Sequence, residues 1–212
     1  MHIITDKIEF PHLDSATQDG LLAIGGDLSV ERLLLAYKIG VFPWFEIDQP
    51  LLWWAPDPRF VLYPEDLKVS KSMRQLFRKH TFRVSYNQAF EKVIQKCAII
   101  SRKDQEGTWI TQHMIEAYCR LHELGFAKSV EVWKDDQLVG GLYGVDLNNG
   151  VFCGESMFAQ VSNASKYGFI SFVQQSKYKL IDCQMRTKHL ESLGGKHISR
   201  ARFVKLLNSE NS

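Results

Sequence analysis

The stretch SVEVWKDDQLVGGLYGVDLNNGVFCGES, residues 129–156, decides the fold of this chain of 212 residues. Apolar residues alternate with polar or small ones along it, and the alternation is interrupted at Asp135 and Asp136 and again at the Asn-Asn-Gly of residues 148–150. A period of two is typical of β-strands, and Asn, Asp and Gly are residues that tight turns favour. The stretch therefore predicts an antiparallel meander of three strands.

Further helices and strands are predicted on both sides of this meander. Most of the predicted helices show apolar residues at helical spacing behind a Ser, Thr or Asn that serves as N-cap. In chain order we predict a strand at Phe60–Tyr63, a helix capped by Ser70, a strand at Phe82–Tyr86, helices capped by Asn87 and Thr111, the meander, a helix beginning at Ser162 or Asn163, a strand at Lys179–Met185, and two C-terminal helices. This mixture indicates an α+β domain over residues 59–212.

Residues 1–58 have a different character and predict a small N-terminal domain. A helix is expected between Ser29, as its N-cap, and Gly40, as its stop. The segments GVFPWF, at residues 40–45, and LLWWAPDPR, at residues 51–59, are rich in Trp and Pro. Because a proline lacks an N–H donor and restricts the residue before it, we predict ordered loops here and no central strand.

Charge is distributed unevenly along the chain, although the net charge is only +2. Residues 1–67 contain 4 Lys or Arg against 11 Asp or Glu, residues 68–103 contain 10 against 1, and residues 104–212 contain 12 against 12. The segment 68–103, called the basic segment below, thus carries a net charge of +9. Such a concentration is typical of proteins that bind phosphate backbones, and a solvated helix face is the alternative explanation.

The apolar runs are short. The longest stretches without charge, residues 156–165 and 167–176, hold ten residues each, whereas a bilayer span needs about 20 apolar residues. Asp6 and Lys7 precede any apolar run, which argues against a secretory signal. The His and Cys residues lack metal-ligand spacing. We therefore expect a cytosolic protein, with no membrane association, no cofactor and no bound metal.

The segment Leu-Ile-Asp-Cys-Gln at residues 180–184 is the first candidate for chemistry. Alternate side chains of a strand share a face, so Asp182 and Gln184 are expected side by side. An acid held next to an amide suits a general base, with the amide orienting the carboxylate. A strand end that has reached solvent would show the same pattern, and the residues alone leave both interpretations open.

Glu155, in the Cys-Gly-Glu-Ser of residues 153–156, is a second candidate acid. Gly154 lets a ligand or another backbone approach closely, and a buried acid must be paired or bind a cation. A Glu at an exposed strand edge is the alternative. Residues 161–166, before the later helix, lack the glycines with which a loop would cradle the pyrophosphate of coenzyme A.

Ten short segments in order resemble the leucyl/phenylalanyl-tRNA–protein transferase family of bacteria. They are GLLAIGGDLS (20–29), GVFPWF (40–45), LLWWAPDPR (51–59), GTWIT (107–111), HELG (122–125), SVEVW (129–133), LVGGLYGV (138–145), FCGESMF (152–158), NASK (163–166) and LIDCQ (180–184). The resemblance implies an N-acetyltransferase-like (GNAT/FemX-like) C-terminal domain behind the small N-terminal one. It also implies an enzyme that moves Leu or Phe, and less readily Met, from aminoacyl-tRNA to the α-amine of proteins with N-terminal Arg or Lys, which marks them for degradation. We expect the protein to be a monomer.

The resemblance also implies the roles of individual residues. Asp182 and Gln184 match the family's catalytic acid and amide, and Glu155 matches its active-site glutamate. The remaining matches are Trp44 and Trp109 at the terminal adenosine of the tRNA; Leu142, Phe152, Gly154, Phe172 and Ile181 around the transferred side chain; and Lys71, Arg74, Arg78 and Lys79 on the tRNA backbone. The ester donor is already activated, so neither a cofactor nor a metal is required.

Two other classes of protein compete with this interpretation. A conventional acetyltransferase would consume acetyl-coenzyme A, and residues 161–166 argue against it. A tRNA-binding module would hold charged tRNA without consuming it, and the acid–amide pair of residues 182 and 184 argues against that.

Overall fold

The computed structural model describes residues 2–46, 48–100 and 110–209. The N-terminal part of the chain contains a four-stranded sheet with the strand order β1-β2-β4-β3. Its strands are β1 (His2–Ile4), β2 (Leu21–Gly25), β3 (Phe42–Pro43) and β4 (Leu52–Trp54), and helix α1 (Val30–Ile39) connects β2 to β3. The helix begins behind Ser29, whose hydroxyl accepts the Arg32 N–H, and ends at Gly40, whose φ is 87°, as the sequence predicted.

The prediction of loops is wrong for part of each Trp- and Pro-rich segment, because each contains a short strand. Leu52–Trp54 forms β4, which lies between β2 and β3 in the sheet. Pro43 lies in β3 at the edge of that sheet, where a missing N–H donor is tolerated. The proline argument therefore holds for residues 42–43 but does not extend to the tryptophans, whose aromatic side chains suit a strand.

A seven-stranded sheet occupies the rest of the chain, in the order β11-β5-β10-β9-β8-β7-β6. Its strands are β5 (Arg59–Leu62), β6 (Arg83–Tyr86), β7 (Ala127–Lys134), β8 (Gln137–Asp146), β9 (Val151–Ala159), β10 (Leu180–Asp182) and β11 (Lys196–Ile198). The helices are α2 (Lys71–Arg78), α3 (Phe90–Ile99), α4 (Gln112–Glu123), α5 (Ala164–Gln175), α6 (Lys188–Ser192) and α7 (Arg200–Asn208). The α+β class, the predicted meander and the two C-terminal helices are confirmed.

Two of the predicted caps are confirmed in this second part, and one is wrong. Ser70 accepts the Met73 N–H at the start of α2, and Thr111 accepts the Met114 N–H at the start of α4. Asn87 instead accepts the Ser129 N–H at 2.9 Å, and α3 begins only at Phe90. The buried Glu131 carboxylate accepts the N–H of Ala89, just before α3, at 3.3 Å. A residue 42 positions further along the chain thus supplies the hydrogen-bond acceptor that the local sequence predicted to be Asn87.

Strands β9 and β10 run parallel for only three residue pairs, ending at Cys153 and Asp182. β9 then continues to Ala159 while β10 stops, which leaves an opening beside Gly154. One apolar core covers the face of the large sheet that carries α3 and α4, and it is continuous with the side chains of α1 and the first sheet. No helix in the described ranges has the length and apolar character needed to cross a membrane.

Candidate active site

Three polar side chains are buried where β10 ends beside β9. Asp182 is fully inaccessible, and Glu155 and Gln184 are each 9% exposed. The backbone N–H of Gln184 donates to Asp182 Oδ1 at 2.9 Å, and Gln184 Nε2 donates to Glu155 Oε1 at 2.6 Å. The structure thus brings together the three residues that the sequence proposed for catalysis.

The arrangement of this group differs from the predicted one. Gln184 has a φ of 58° and lies beyond the end of β10, so it does not share a strand face with Asp182. The predicted strand Lys179–Met185 is too long at both ends, since β10 spans only Leu180–Asp182, although the Cys183 N–H still donates to the Phe60 carbonyl at 3.0 Å. The Gln184 amide side chain therefore orients Glu155, and only its backbone N–H reaches Asp182.

Arg59 is the counter-charge of Asp182, and sequence reasoning missed it. Arg59 Nε donates to Asp182 Oδ1 at 2.8 Å, and its Nη2 donates to Oδ2 at 2.7 Å. The guanidinium lies between the rings of Phe42 and Phe203, at 4.6 and 4.7 Å from their centroids. Both carboxylate oxygens are thus engaged deep in the protein. This geometry favours a positioning role for Asp182 over direct proton transfer.

Glu155 is held by two tyrosines as well as by Gln184. Tyr118 Oη donates to Glu155 Oε2 at 3.0 Å, and the hydroxyls of Tyr37 and Tyr118 are hydrogen-bonded to each other. Burial raises the pKa of Glu155 to about 7, and hydrogen bonds from Tyr37, Tyr118 and Gln184 keep that pKa below the value that burial alone would produce. The neighbouring Asp182 charge raises the pKa further. A carboxyl group with such a pKa exchanges protons readily near neutral pH.

The side chains predicted to surround the transferred residue lie on the opposite face of the sheet. Leu142, Phe152, Phe172 and Ile181 belong to one buried apolar cluster. The ring centroids of Phe152 and Phe172 are 4.6 Å apart, so the two rings contact each other within this cluster. A cavity of about 530 Å³ adjoins Phe172.

Gly154 is partly exposed and lies on β9 just beyond its last residue pair with β10. A Cβ added there would meet the Asp182 carbonyl oxygen at 3.4 Å. The same Cβ would lie 4.0 Å from the Phe152 ring, so Gly154 neighbours both Asp182 and the apolar cluster.

The predicted tRNA contacts are exposed. Lys71, Arg74, Arg78 and Lys79 all face solvent on and just after α2, and none of them takes part in a salt bridge with another described residue. The other face of α2 packs through Met73 and through Phe77, whose ring stacks 3.9 Å from that of Tyr167 on α5. The basic side chains are therefore held on a firmly packed helix.

Of the two tryptophans predicted to contact adenosine, the structure describes only Trp44. Trp44 is partly exposed, lies 5.6 Å from the Trp54 ring, and accepts the Trp54 indole N–H at its carbonyl at 2.6 Å. Trp109 lies outside the described residues. Across the described ranges, no cluster of three or more His, Cys, Asp or Glu has the geometry to hold a metal ion.

Arg59, Tyr37 and Tyr118 left weak signals in the sequence. Arg59 is the lone cation at the start of the apolar strand segment Phe60–Tyr63, and a charge in such a place requires a partner. The tyrosines lie on the apolar stripes of α1 and α4 and read as ordinary core residues. A buried phenol usually finds a hydrogen-bond partner, but nothing local indicates which one.

The fold and this site define a class of protein: a two-part α+β enzyme that has a buried carboxylate–amide centre where two parallel strands part, and an exposed basic helix. The family model described as "Leucyl/phenylalanyl-tRNA protein transferase" matches residues 61–208, and that described as its N-terminal domain matches residues 26–57. The chain belongs to this family of aminoacyltransferases.

Curated relatives agree over nearly the full length. Proteins named leucyl/phenylalanyl-tRNA–protein transferase from Flavobacterium johnsoniae and Flavobacterium psychrophilum are 54% and 55% identical, covering 99% and 98% of this chain and 100% and 99% of theirs. The protein of the same name from Syntrophus aciditrophicus is 54% identical over 94% of this chain and 84% of its own.

Solved structures are more distant. A GCN5-related N-acetyltransferase from Kribbella flavida matches with a TM-score of 0.37 and 10% identity, over 76% of this chain and 57% of that one.

Proposed function

We propose that this protein transfers leucine or phenylalanine, and less readily methionine, from aminoacyl-tRNA to the α-amine of proteins that begin with Arg or Lys, and so marks them for degradation. The observation that carries this proposal is the buried group of Glu155, Gln184 and Asp182 beside the opening at Gly154. Membership of the family supports the donor and the reaction. Since charged tRNA is used in the cytosol, the reaction belongs there, and a single chain supplies every proposed residue.

Glu155 is the proposed proton acceptor. A protein α-amine has a pKa of about 7.7 to 8.0 and must lose a proton before it attacks the ester carbonyl. The pKa of Glu155, raised by burial to about 7, lies within about one unit of that value, so the proton can move at little cost in free energy. Glu155 takes the first proton from the ammonium group and releases it to solvent. As the amine nitrogen forms the C–N bond, Glu155 takes a second proton from that nitrogen and passes it to the leaving ribose oxygen when the ester C–O bond breaks.

Gln184 and Asp182 have supporting roles in this scheme. An amide NH2 group has two N–H donors, and Glu155 takes one of those of Gln184. The second is the proposed donor to the oxygen of the ester carbonyl as charge develops there. Asp182, paired with Arg59, positions Gln184 through the backbone N–H, which keeps the amide beside Glu155.

The substrates fit around this centre. Leu142, Phe152, Phe172 and Ile181 form the proposed apolar pocket for the transferred side chain, which enters past Gly154. Trp44 and Trp109 are the proposed stacking partners of the terminal adenosine, because base stacking on an aromatic ring stabilises binding by ~1–3 kcal/mol. The exposed cations Lys71, Arg74, Arg78 and Lys79 are the proposed phosphate contacts.

A transfer assay tests this function. Labelled leucyl-tRNA is incubated with the protein and with two peptides that differ only in an N-terminal Arg or Ala, and label in the peptide is measured. We expect label in the Arg peptide alone. Label in both peptides would contradict the acceptor specificity, and binding of charged tRNA with no transfer would support a tRNA-binding module. Turnover of acetyl-coenzyme A in a parallel reaction would support a conventional acetyltransferase.

A further inference from the structure

A chain of hydroxyl groups connects the N-terminal part of the protein to Glu155. Tyr37 lies on α1, which packs beside the first sheet, and Tyr118 lies on α4 of the second part. Both side chains are essentially inaccessible. Their hydroxyls contact each other, and Tyr118 Oη reaches Glu155 Oε2 at 3.0 Å. Residues 81 positions apart in the chain thus meet at the proposed proton acceptor.

The chemistry of these groups determines the direction of the chain. An ionised carboxylate only accepts hydrogen bonds, so Tyr118 must use its one hydroxyl proton toward Glu155. Tyr118 therefore accepts at its oxygen, and Tyr37 donates to it. This orientation polarises both phenols toward the carboxylate and stabilises its charged form. A protonated Glu155 would lose that stabilisation.

We propose that Tyr37 and Tyr118 are positioning residues of the transfer reaction, which hold the Glu155 carboxylate against Gln184 and keep it in the ionised form that accepts the amine proton. The inference rests on the proposed function, since it assigns a further role within the same site. It also gives the N-terminal part a direct role in the reaction, because Tyr37 is supplied by α1.

Other charged or titratable groups face the same carboxyl. They are Asp182 on β10, Cys153 on β9 itself, Tyr143 on β8, which acts through Tyr118, and Arg59 on β5, which is paired with Asp182. None of them changes when a tyrosine hydroxyl is removed. A change in the titration of Glu155 on replacing Tyr37 or Tyr118 with Phe therefore reports the hydroxyl that was removed.

The size of the effect follows from the hydrogen bond. Removing a hydrogen-bond donor from a carboxylate raises the pKa of that carboxyl by about one unit, because the ionised form loses the partner that stabilised it. With the pKa near 7 in the unchanged protein, Glu155 is about half ionised at pH 7. With a pKa near 8, about one tenth is ionised. The rate of Tyr118→Phe relative to the unchanged protein is thus expected to be about one fifth at pH 7 and close to one at pH 9.

The test measures single-turnover transfer of labelled leucine to an Arg-initiated peptide from pH 6 to pH 9, corrected for hydrolysis of the ester without enzyme. Tyr37→Phe, Tyr118→Phe and a control, Tyr63→Phe, are each expressed relative to the unchanged protein at the same pH, so that titration of the acceptor amine cancels. Tyr63 Oη accepts the Arg202 Nε–H at 3.3 Å, so the control also loses a tyrosine hydroxyl and its hydrogen bond, away from the proposed pocket. We expect ratios that rise with pH for the first two variants and a flat ratio near one for the control.

A loss that is equal at every pH would overturn the proposal, because it would indicate a structural effect of the missing hydroxyl. So would unchanged transfer at pH 7 in both variants. If Tyr118→Phe fails to fold, as thermal melting would show, Tyr37→Phe decides the matter alone. Absence of transfer by the unchanged protein would overturn the proposed function together with this inference, whereas transfer with a flat ratio overturns only the inference.

Discussion

Replacing Arg59 with methionine isolates the charge that faces Asp182. Methionine fills much of the space between the rings of Phe42 and Phe203, so most of the apolar contact remains and the main loss is the counter-charge. Asp182 has no exposed surface from which water could replace the guanidinium. Removing one partner of a buried ion pair typically costs about 3–5 kcal/mol, because the other charge stays buried and unpaired.

Urea unfolding, followed by tryptophan fluorescence, measures this loss. With a slope of about 1–3 kcal/mol per molar urea, we expect the midpoint of Arg59→Met to fall by at least about 1 M. Arg186→Met is the matched control, since Arg186 contacts Glu191 through the same two nitrogens at 3.1 and 2.7 Å but at the surface. Its midpoint should hardly move, because exposed ion pairs contribute little to stability.

A double variant completes the test. Arg59→Met combined with Asp182→Asn removes both charges, so it should recover part of the stability that Arg59→Met loses. The reasoning is refuted if Arg59→Met and Arg186→Met shift the midpoint equally, or if the double variant is no more stable than Arg59→Met alone. Transfer activity of Arg59→Met should also fall, since Asp182 holds the Gln184 N–H at 2.9 Å.

Four further predictions concern the residues of the proposed reaction. Glu155→Gln should reduce transfer by about 10²–10⁴-fold with unchanged binding of aminoacyl-tRNA in a filter assay, and equal loss of binding would contradict its role as proton acceptor. Since the folded pKa of Glu155 (about 7) lies above its ordinary 4.5, the stability that this group contributes is lost as pH rises from about 4.5 through 7, and calorimetry should find that loss reduced in Glu155→Gln. Arg74→Glu with Arg78→Glu should lower the salt dependence of tRNA binding by about one unit of slope per lost phosphate contact, whereas Lys38→Glu on α1 should leave it unchanged; equal slopes would argue against α2 as the tRNA contact. Gly154→Ala has 3.4 Å of space for its Cβ and should melt near the unchanged temperature, yet transfer less, because the methyl group enters the opening between β9 and β10; full activity would place the entrance elsewhere.

Local patterns predicted the elements of the fold well where one face of an element sets the spacing. Alternation in residues 129–156 predicted the three central strands, and Ser29, Ser70 and Thr111 marked helix starts that the structure confirms. These signals depend on neighbours within a few positions along the chain. Such neighbours are visible in a sequence.

The same reasoning failed where a distant group replaced a local one. Glu131 satisfies the start of α3 in place of Asn87, and the tryptophans at residues 53 and 54 form a central strand because β2 and β3 flank them. In both cases the partner lies more than five residues away. The composition of each segment is therefore an incomplete guide to its structure, because it does not show which distant residues pack against or bond to that segment.

By itself the sequence determined the α+β class, the basic segment, and the candidate group of Glu155, Asp182 and Gln184. The tertiary structure decided which partners hold that group in place. Arg59 pairs with Asp182, 123 positions away in the chain, and Glu155 is bonded by Tyr118, which is bonded in turn by Tyr37 from the N-terminal part. The physical reason is that a buried charge is paired with whichever group the fold brings near it, however distant that group is in the chain. The burial that raises the pKa of Glu155 to about 7 likewise exists only in the folded protein.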